Sequence, residues 1–303
     1  AQLAACFGYP LNKVRIIKTA IGGAFGCKAE AKAEPLAIAL SLASKRPVKL
    51  VYTRDDEFAS SLARAGVIYK MKTGAKKDGT LVAFKSNVYW DTGATFGPRV
   101  NYNAGYAATG PYRIPNVLID SLCIMTNKSL GSAYRGFGVQ EAACGYERQM
   151  DLLAEKLNMD PLELRMKNVL RDGDISPSGE VMQSVGVGEC LQRAAEELGW
   201  DKRPHRWVSE DGTEHGIGIA CFIKISGTPS TTSVLLKMNY DGTLILNSGA
   251  AEMGQGVTTT LPIIAAQSLG MNVNKIIMAD VDTDITPFDK TTTSSRSTFH
   301  GGV

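Results

Sequence analysis

The chain has 303 residues, with 33 Lys and Arg against 30 Asp and Glu and a net charge of +3. Charges of both signs are mixed along it, so no basic block points to nucleic acid and no acidic tail points to disorder. Hydrophobic residues make up 44% and charged residues 21%. That is ordinary for a globular protein with a sizeable core and two domains, and no apolar run approaches the roughly 18 residues of a membrane span.

The N-terminal AQLAACFGYP has no charged leader region. It reads as the interior of a longer chain rather than a signal peptide. Val14 to Lys18 alternates like a strand, and a glycine loop, Gly22 to Gly26, follows. A helix is expected over about Ala31 to Ser44, with Pro35 in its first turn, and then a strand over Val48 to Tyr52. Val67–Lys72 and Leu81–Tyr89 flank Asp78-Gly79, a hairpin signal. Asp91 to Tyr112, rich in Gly, Asn, Thr and Tyr, reads as a long loop, and Pro115 to Met125 as a strand.

GSAYRGFG, Gly131 to Gly138, precedes a strong helix in which Ala142, Tyr146, Met150, Leu153 and Leu157 recur at helical spacing. Asp160-Pro161 caps and opens a second helix through Leu170. Arg171 to Glu180 is the best linker, and Gly186 to Leu198 is a third helix. Ile217–Ile223, Val234–Tyr240 and Leu244–Asn247 read as strands, the last two joined at Asp241-Gly242. AAEMGQG leads into a helix over Val257–Leu269. Ile276–Val281 is a strand, and TTTSSRSTFHGGV ends the sequence as if entering another element. Pattern alone gives an α+β or mixed α/β fold with two domains, 1–175 and 176–303, the second cut short at its C-terminal end.

Six cysteines, Cys6, Cys27, Cys123, Cys144, Cys190 and Cys221, include no C-x-x-C pair, and the three histidines show no ligand spacing. No iron–sulfur, zinc or haem site is signalled within the chain. Free thiols suit a reducing cytoplasm. Chemistry is instead expected from loops. Gly22–Gly26, Met253–Gly256 and Thr293–Thr298 each join small residues to a following helix, whose unpaired N–H groups suit an anion. A fourth loop, Tyr134–Gly138, adds a cation and aromatic rings. GGAFGCK lacks P-loop spacing, and GIGIAC lacks the third glycine of a dinucleotide fingerprint.

Taken together, these segments resemble the molybdopterin-binding large subunit of the xanthine dehydrogenase/aldehyde oxidase family. GGAFGCK is similar to its first cofactor loop, usually GGGFGGK. AYRGFG with the helix pair behind it resembles its arginine loop, AAEMGQG its glutamine loop, and DTDITPFDKTTTSSRSTFHGG its serine-rich loop. The match runs in order over nearly the whole chain. It implies two elongated cofactor-binding domains, β-sheets flanked by helices, with the pterin between them.

The resemblance also implies roles. Gly23, Phe25 and Gly26 would set backbone against the molybdenum. Arg135 and Phe137 would be the catalytic pair, Arg135 beside the metal and pterin and Phe137 as a wall of the substrate pocket. Gln255, with Gly254 and Gly256, would contact the pterin, and Ser295, Arg296 and Ser297 would grip the pterin or its phosphates. Molybdenum would be held through the pterin, without protein ligands. The cytosine dinucleotide is one form the resemblance allows, and 2Fe-2S clusters and FAD belong to partner subunits or domains.

The implied reaction is hydroxylation of a heteroaromatic compound or aldehyde with oxygen from water, aided by a general base. The family's base glutamate lies in a Gly-x-Gly-Glu loop downstream of Val303, and Glu252 is expected to position the glutamine loop instead. Ala29 stands where purine-oxidising members have glutamate. Their substrate arginine maps near Asn103, and both changes point away from xanthine. Gly136 follows the arginine where carbon monoxide dehydrogenases have cysteine, which argues against copper–sulfur chemistry. Cys27 replaces a common glycine, filling space or approaching substrate. Two readings stay open: part of a multisubunit oxidoreductase, or a non-catalytic pterin-nucleotide-binding or scaffold fragment.

Overall fold

The computed structural model describes residues 1–94, 100–202, 204–224 and 230–303, with backbone alone for 101–104. In chain order its elements begin with α1 (Gln2–Phe7), α2 (Ala33–Ser44), α3 (Arg54–Ser60), β1 (Ala63–Arg64), β2 (Gly66–Ala75) and β3 (Leu81–Gly93). Then come α4 (Val100–Ala107), β4 (Asn116–Met125), β5 (Gly131–Ser132), α5 (Val139–Leu157), α6 (Pro161–Asn168) and α7 (Val187–Leu198). The last are β6 (Arg206–Val208), β7 (Glu214–Gly216), β8 (Val234–Met238), β9 (Leu244–Ser248), α8 (Val257–Leu269), β10 (Ile276–Met278) and α9 (Ser297–Gly302). The class is mixed α/β, as expected. The elements gather into two compact units, Leu62–Lys224 and Ala1–Ser61 with Ile225–Val303.

The unit of residues 62–224 is built on the sheet β2–β3–β4. β2 and β3 pair antiparallel through the Asp78-Gly79 turn. Gly79 takes φ 85°, which suits glycine, and Asp78 Oδ1 accepts the Thr80 N–H at 3.1 Å. β4 then pairs parallel to β3. α5 packs on this sheet through Ala142, Tyr146, Met150 and Ala154, all buried and four residues apart. That spacing places one side chain per turn on a single stripe. Gly145 lets helix and strand approach, since a Cβ there would lie 2.6 Å from Met71 Cε. Asp160 caps α6, accepting from Leu162 N at 2.7 Å and Glu163 N at 3.0 Å. Arg171–Glu180, the expected linker, folds inside this unit, where Ile175 bridges Val181.

The other unit contains a β–α–β arrangement. β8 and β9 form the hairpin expected at Asp241-Gly242, and β10 lies parallel to β9. α8 makes the crossover, burying Val257, Leu261, Ala265 and Ala266 against Leu244, Leu246 and Ile276. A parallel pair needs such a connection, and it leaves the strand-to-helix loop at the carboxyl end of β9.

Several sequence expectations are corrected. Val48–Tyr52 and Ile217–Ile223 have strand-like composition but form no strand, because a strand also needs a ladder partner, which local pattern does not report. Val14–Lys18 contributes a single antiparallel bridge, Ile17 to Asp282. The long loop expected over Asp91–Tyr112 contains α4 (Val100–Ala107); its residues 95–99 lie outside the described residues. α3 was not expected, although Thr53 and Asp56 form the capping box that starts it.

Candidate functional site

Three of the four loops singled out by sequence belong to the unit of residues 1–61 and 225–303. The first, Gly22–Gly26, follows the Ile17–Asp282 bridge. Arg15 clamps that bridge, with Nη2 2.5 Å and Nε 3.1 Å from Asp282 Oδ2. Gly23, Phe25 and Gly26 have φ of 90°, 54° and 101°. The Phe25 ring folds back over Gly23, where a Cβ would sit 2.5 Å from Phe25 Cε2. Glycine is therefore favoured at 23 for its φ, and any side chain there would also have to displace the exposed Phe25 ring. α2 does not start directly behind this loop as expected: a turn, with Cys27 N–H donating to Ala24 O at 2.9 Å, intervenes. Cys27 Sγ also donates to Ala24 O, so the thiol closes that turn.

The glutamine loop connects β9 to α8, with Gly254 and Gly256 at φ of 102° and 81°. Here the expectation of free N–H donors is also corrected. Glu252 already fills the seat at the start of α8. Its Oε1 accepts from Gly254 N at 2.8 Å and Gly256 N at 3.0 Å. Its Oε2 accepts from Thr258 N and Thr258 Oγ1, each at 3.1 Å. Burial alone would raise this carboxyl's pKa. The bonds from Gly256, Thr258 and Gly254 outweigh burial and bring it down to about 2.

A depressed folded-state pKa contributes stability above the ordinary carboxylate value and loses it as pH falls toward the folded value. Glu252 should therefore hold its loop firmly above pH 4.5 and release it as pH drops toward about 2. Glu252→Gln should cost ~1 kcal/mol of loop stability at neutral pH and remove this acid dependence. Amide exchange of residues 253–260, followed from pH 5 to about 2, checks it; an unchanged acid dependence in the variant would assign the effect to another group.

Gln255 is exposed, but its side chain turns back on the loop. Met253 N–H donates to its Oε1 at 2.7 Å, and its Nε2 donates to Ala251 O at 2.8 Å. The same loop is tied to the serine-rich segment, because Ala251 N–H donates to Thr292 Oγ1 at 2.8 Å. Within that segment Ser294 and Ser295 take left-handed φ of 55° and 54°, and α9 begins at Ser297.

Arg296, expected at the pterin or its phosphates, is buried and bonded within its own unit. Only 1% of it is exposed. It donates to Asp289 Oδ1 at 2.6 Å, Thr232 Oγ1 at 2.5 Å and Thr291 O at 2.9 Å. Its guanidinium faces inward and shapes the loop, leaving Ser295 as the exposed residue of the trio.

The arginine loop belongs to the other unit. Gly136, Phe137 and Gly138 have consecutive positive φ of 95°, 53° and 89°, and α5 starts at once behind them. Phe137 is half-buried against Trp90, Val88, Val100 and Ala65, so only part of its ring is open. Arg135 is exposed, and among the described residues its guanidinium has no hydrogen-bond or ion-pair partner. Arg64, which carries no sequence motif, is the arginine engaged with this loop. Ala29 is exposed beyond the first loop, and the Asn103 side chain lies outside the described residues. Among the described residues, no His, Cys, Asp and Glu side chains gather as a metal site, and no helix is long and apolar enough to cross a membrane.

Comparison with known proteins agrees with the loop pattern. Two models of a molybdopterin cofactor-binding domain match, over residues 1–169 and 193–303. The xanthine dehydrogenase molybdenum-binding subunit of Escherichia coli O157:H7 is 32% identical over 96% of this chain and 40% of its own length. The nicotinate dehydrogenase large molybdopterin subunit of Eubacterium barkeri is 37% identical over 66% of this chain and 49% of its own. Among solved structures, quinoline 2-oxidoreductase from Pseudomonas putida 86 shares the fold. Its TM-score is 0.88 at 22% identity, covering 99% of this chain and 41% of that one. The aldehyde oxidoreductase of Desulfovibrio desulfuricans gives a TM-score of 0.86 at 25% identity, over 99% and 34%. The chain thus spans less than half the length of these relatives. With two family models in tandem and the four loops in their expected order, the chain belongs to the molybdopterin cofactor-binding domain family.

Proposed function

We propose that this chain provides the pterin-binding loops of a molybdenum hydroxylase acting on a heteroaromatic compound or an aldehyde, with two cofactor-binding domains, 1–175 and 176–303. The observation that carries the proposal is the contrast between the two arginines Arg135 and Arg296. Arg296 is buried and fully engaged, while Arg135 stands exposed on a strained loop, with no partner for its guanidinium among the described residues. Non-glycine residues hold left-handed φ only where surroundings enforce it, and such sites cluster where a ligand is handled.

The residues present fit the cofactor. Gly254 has open space where a Cβ would stand, so a planar ligand can approach the backbone. Ser295 offers an exposed hydroxyl beside left-handed backbone, and Gln255 keeps one N–H of its amide for a ligand. Arg135 supplies a planar cation suited to phosphate or to a developing negative charge. The open part of the Phe137 ring can stack on a planar substrate. When bound, the molybdenum centre supplies the two-electron chemistry and activates water-derived oxygen. The chain's part is to bind the pterin, orient the substrate ring and stabilise charge.

No purine specificity is proposed, since Ala29 offers no carboxylate to a purine. Iron–sulfur and flavin partners, a cytoplasmic location and the cytosine dinucleotide form are part of the same proposal. A second reading, a binding unit without catalysis, is favoured by one observation. Glu252 is committed to three backbone N–H groups and Glu141 to Arg64, so neither is free to serve as base.

The test is made on the natively isolated protein with its partners. Molybdenum by mass spectrometry and pterin by fluorescence after release should both be present, with turnover of heteroaromatics or aldehydes. Cofactor without any turnover would leave the binding unit, and no cofactor would reject both. Gln255→Ala should weaken pterin retention about five- to tenfold, the scale of one lost hydrogen bond. Full occupancy under dilution would remove Gln255 from the contact set.

A further inference from the structure

We propose that Arg64 is a positioning residue that braces the arginine loop in the conformation presenting Arg135. The brace itself rests on geometry; its importance for turnover rests on the reading of Arg135 given above. Arg64 ends β1, which pairs with β5, with Arg64 opposite Ser132. From there its guanidinium reaches both sides of the strained turn. On the entering side, Nη2 donates to Arg135 O at 3.1 Å, and Cζ lies 4.8 Å from the centre of the Tyr134 ring. On the leaving side, Nη1 donates to Glu141 Oε2 at 3.1 Å and Gln140 Oε1 at 3.3 Å. Between these anchors lie the three left-handed residues 136–138.

This geometry follows from the cost of the turn. Phe137 at φ 53° is unfavourable on its own, by about 1–3 kcal/mol, so contacts outside the turn must hold it. The Gln140 amide packs where a Cβ on Gly136 would fall, and Arg64 is the side chain that donates to that amide. The Glu141 side chain is only 8% exposed, which limits solvent screening of its pair with Arg64. One planar guanidinium satisfies a carbonyl, an amide oxygen and a carboxylate while lying over a ring. A lysine ammonium cannot make that set. The two arginines are thus complementary: Arg64 is spent on the loop, and Arg135 is left free by it.

Arg64→Met and Arg64→Lys in the natively isolated protein test this by amide exchange read by mass spectrometry. Arg64→Met should speed exchange across residues 136–140 by about tenfold or more, with α6 unchanged and Arg64→Lys in between. Unchanged exchange at 136–140 would overturn the brace. A uniform rise through α5 and α6 would also overturn it, by making Arg64 a general fold stabiliser. Molybdenum content and turnover of the same variants separate the two proposals. A loosened loop with lower turnover and retained molybdenum supports both. A loosened loop with unchanged turnover supports the brace and overturns the role of Arg135.

Discussion

Arg165→Met is expected to destabilise the unit of residues 62–224 by about 3–5 kcal/mol, the cost of breaking a buried ion pair on one side. The Arg165 side chain is 0% exposed and its Glu147 partner 8%. Arg165 Nε donates to Glu147 Oε2 at 2.7 Å, Nη2 to Asp151 Oδ1 at 2.8 Å, and Nη1 to Pro161 O at 3.0 Å. The network therefore joins α5 to α6. Tyr112 Oη donates to the other Glu147 oxygen at 2.6 Å. Burial first, and the Glu147 carboxylate next, push that phenol far above its ordinary range, so it stays a donor throughout the working pH range. Methionine fills much of the volume but leaves a carboxylate in the core with the phenol as its remaining strong donor.

The measurement is straightforward because Trp90, Trp200 and Trp207 all lie in this unit. Urea unfolding of these 303 residues, followed by tryptophan fluorescence, therefore reads this unit. The double variant Glu147→Leu with Arg165→Met should recover most of the loss, since the pair as a whole contributes little net stability. A loss under about 1 kcal/mol for the single variant would mean that water reaches Glu147 and the network is not sealed.

Arg135→Ala is expected to lower turnover about a hundred- to a thousandfold while molybdenum content is retained, the usual loss for one preorganised charge-stabilising group. The Arg135 guanidinium is exposed and has no partner among the described residues, so its removal should leave the unfolding transition unchanged. Arg135→Lys should recover little, because an ammonium lacks the planar fork. Steady-state turnover, metal analysis and fluorescence unfolding on the same samples separate the cases. Unchanged turnover at full molybdenum content would remove the arginine loop from the mechanism. A shifted unfolding midpoint would instead give Arg135 a structural role.

Local chemistry made much of this protein readable in advance. The i, i+4 stripe of Ala142, Tyr146 and Met150, the Asp160-Pro161 helix start, and the two Asp-Gly hairpin turns each involve residues a few positions apart. Their physics is complete within one helical turn or one β-turn. The four glycine- and serine-rich loops were legible for the same reason: small residues in a run mark backbone that must bend, and their order along the chain carried the family resemblance. The positioning role expected of Glu252 agrees with its bonds to residues two to six positions away. α2 was legible as a helix, yet none of its residues is buried, so its apolar sequence did not reveal what it packs against.

Tertiary structure decided what depends on distant partners. Among the described residues, Val48–Tyr52 has strand composition but joins no ladder, and Val14–Lys18 secures one bridge, to a residue more than 260 positions away. Arg296 and Arg135 sit in similar small-residue loops. Only packing shows that one is sealed against Asp289 and Thr232 while the other is open. Arg64 carries no motif, and its meaning arises when β1 pairs with β5 and brings it under a loop some 70 residues downstream. By itself the sequence determined the longer helices, the hairpin turns and the cofactor family, because those rest on short-range backbone preferences and on motifs. Which side chains are committed and which are free was settled only by folding, because the burial and hydrogen-bond partners of a charged group are supplied by residues far away in the chain.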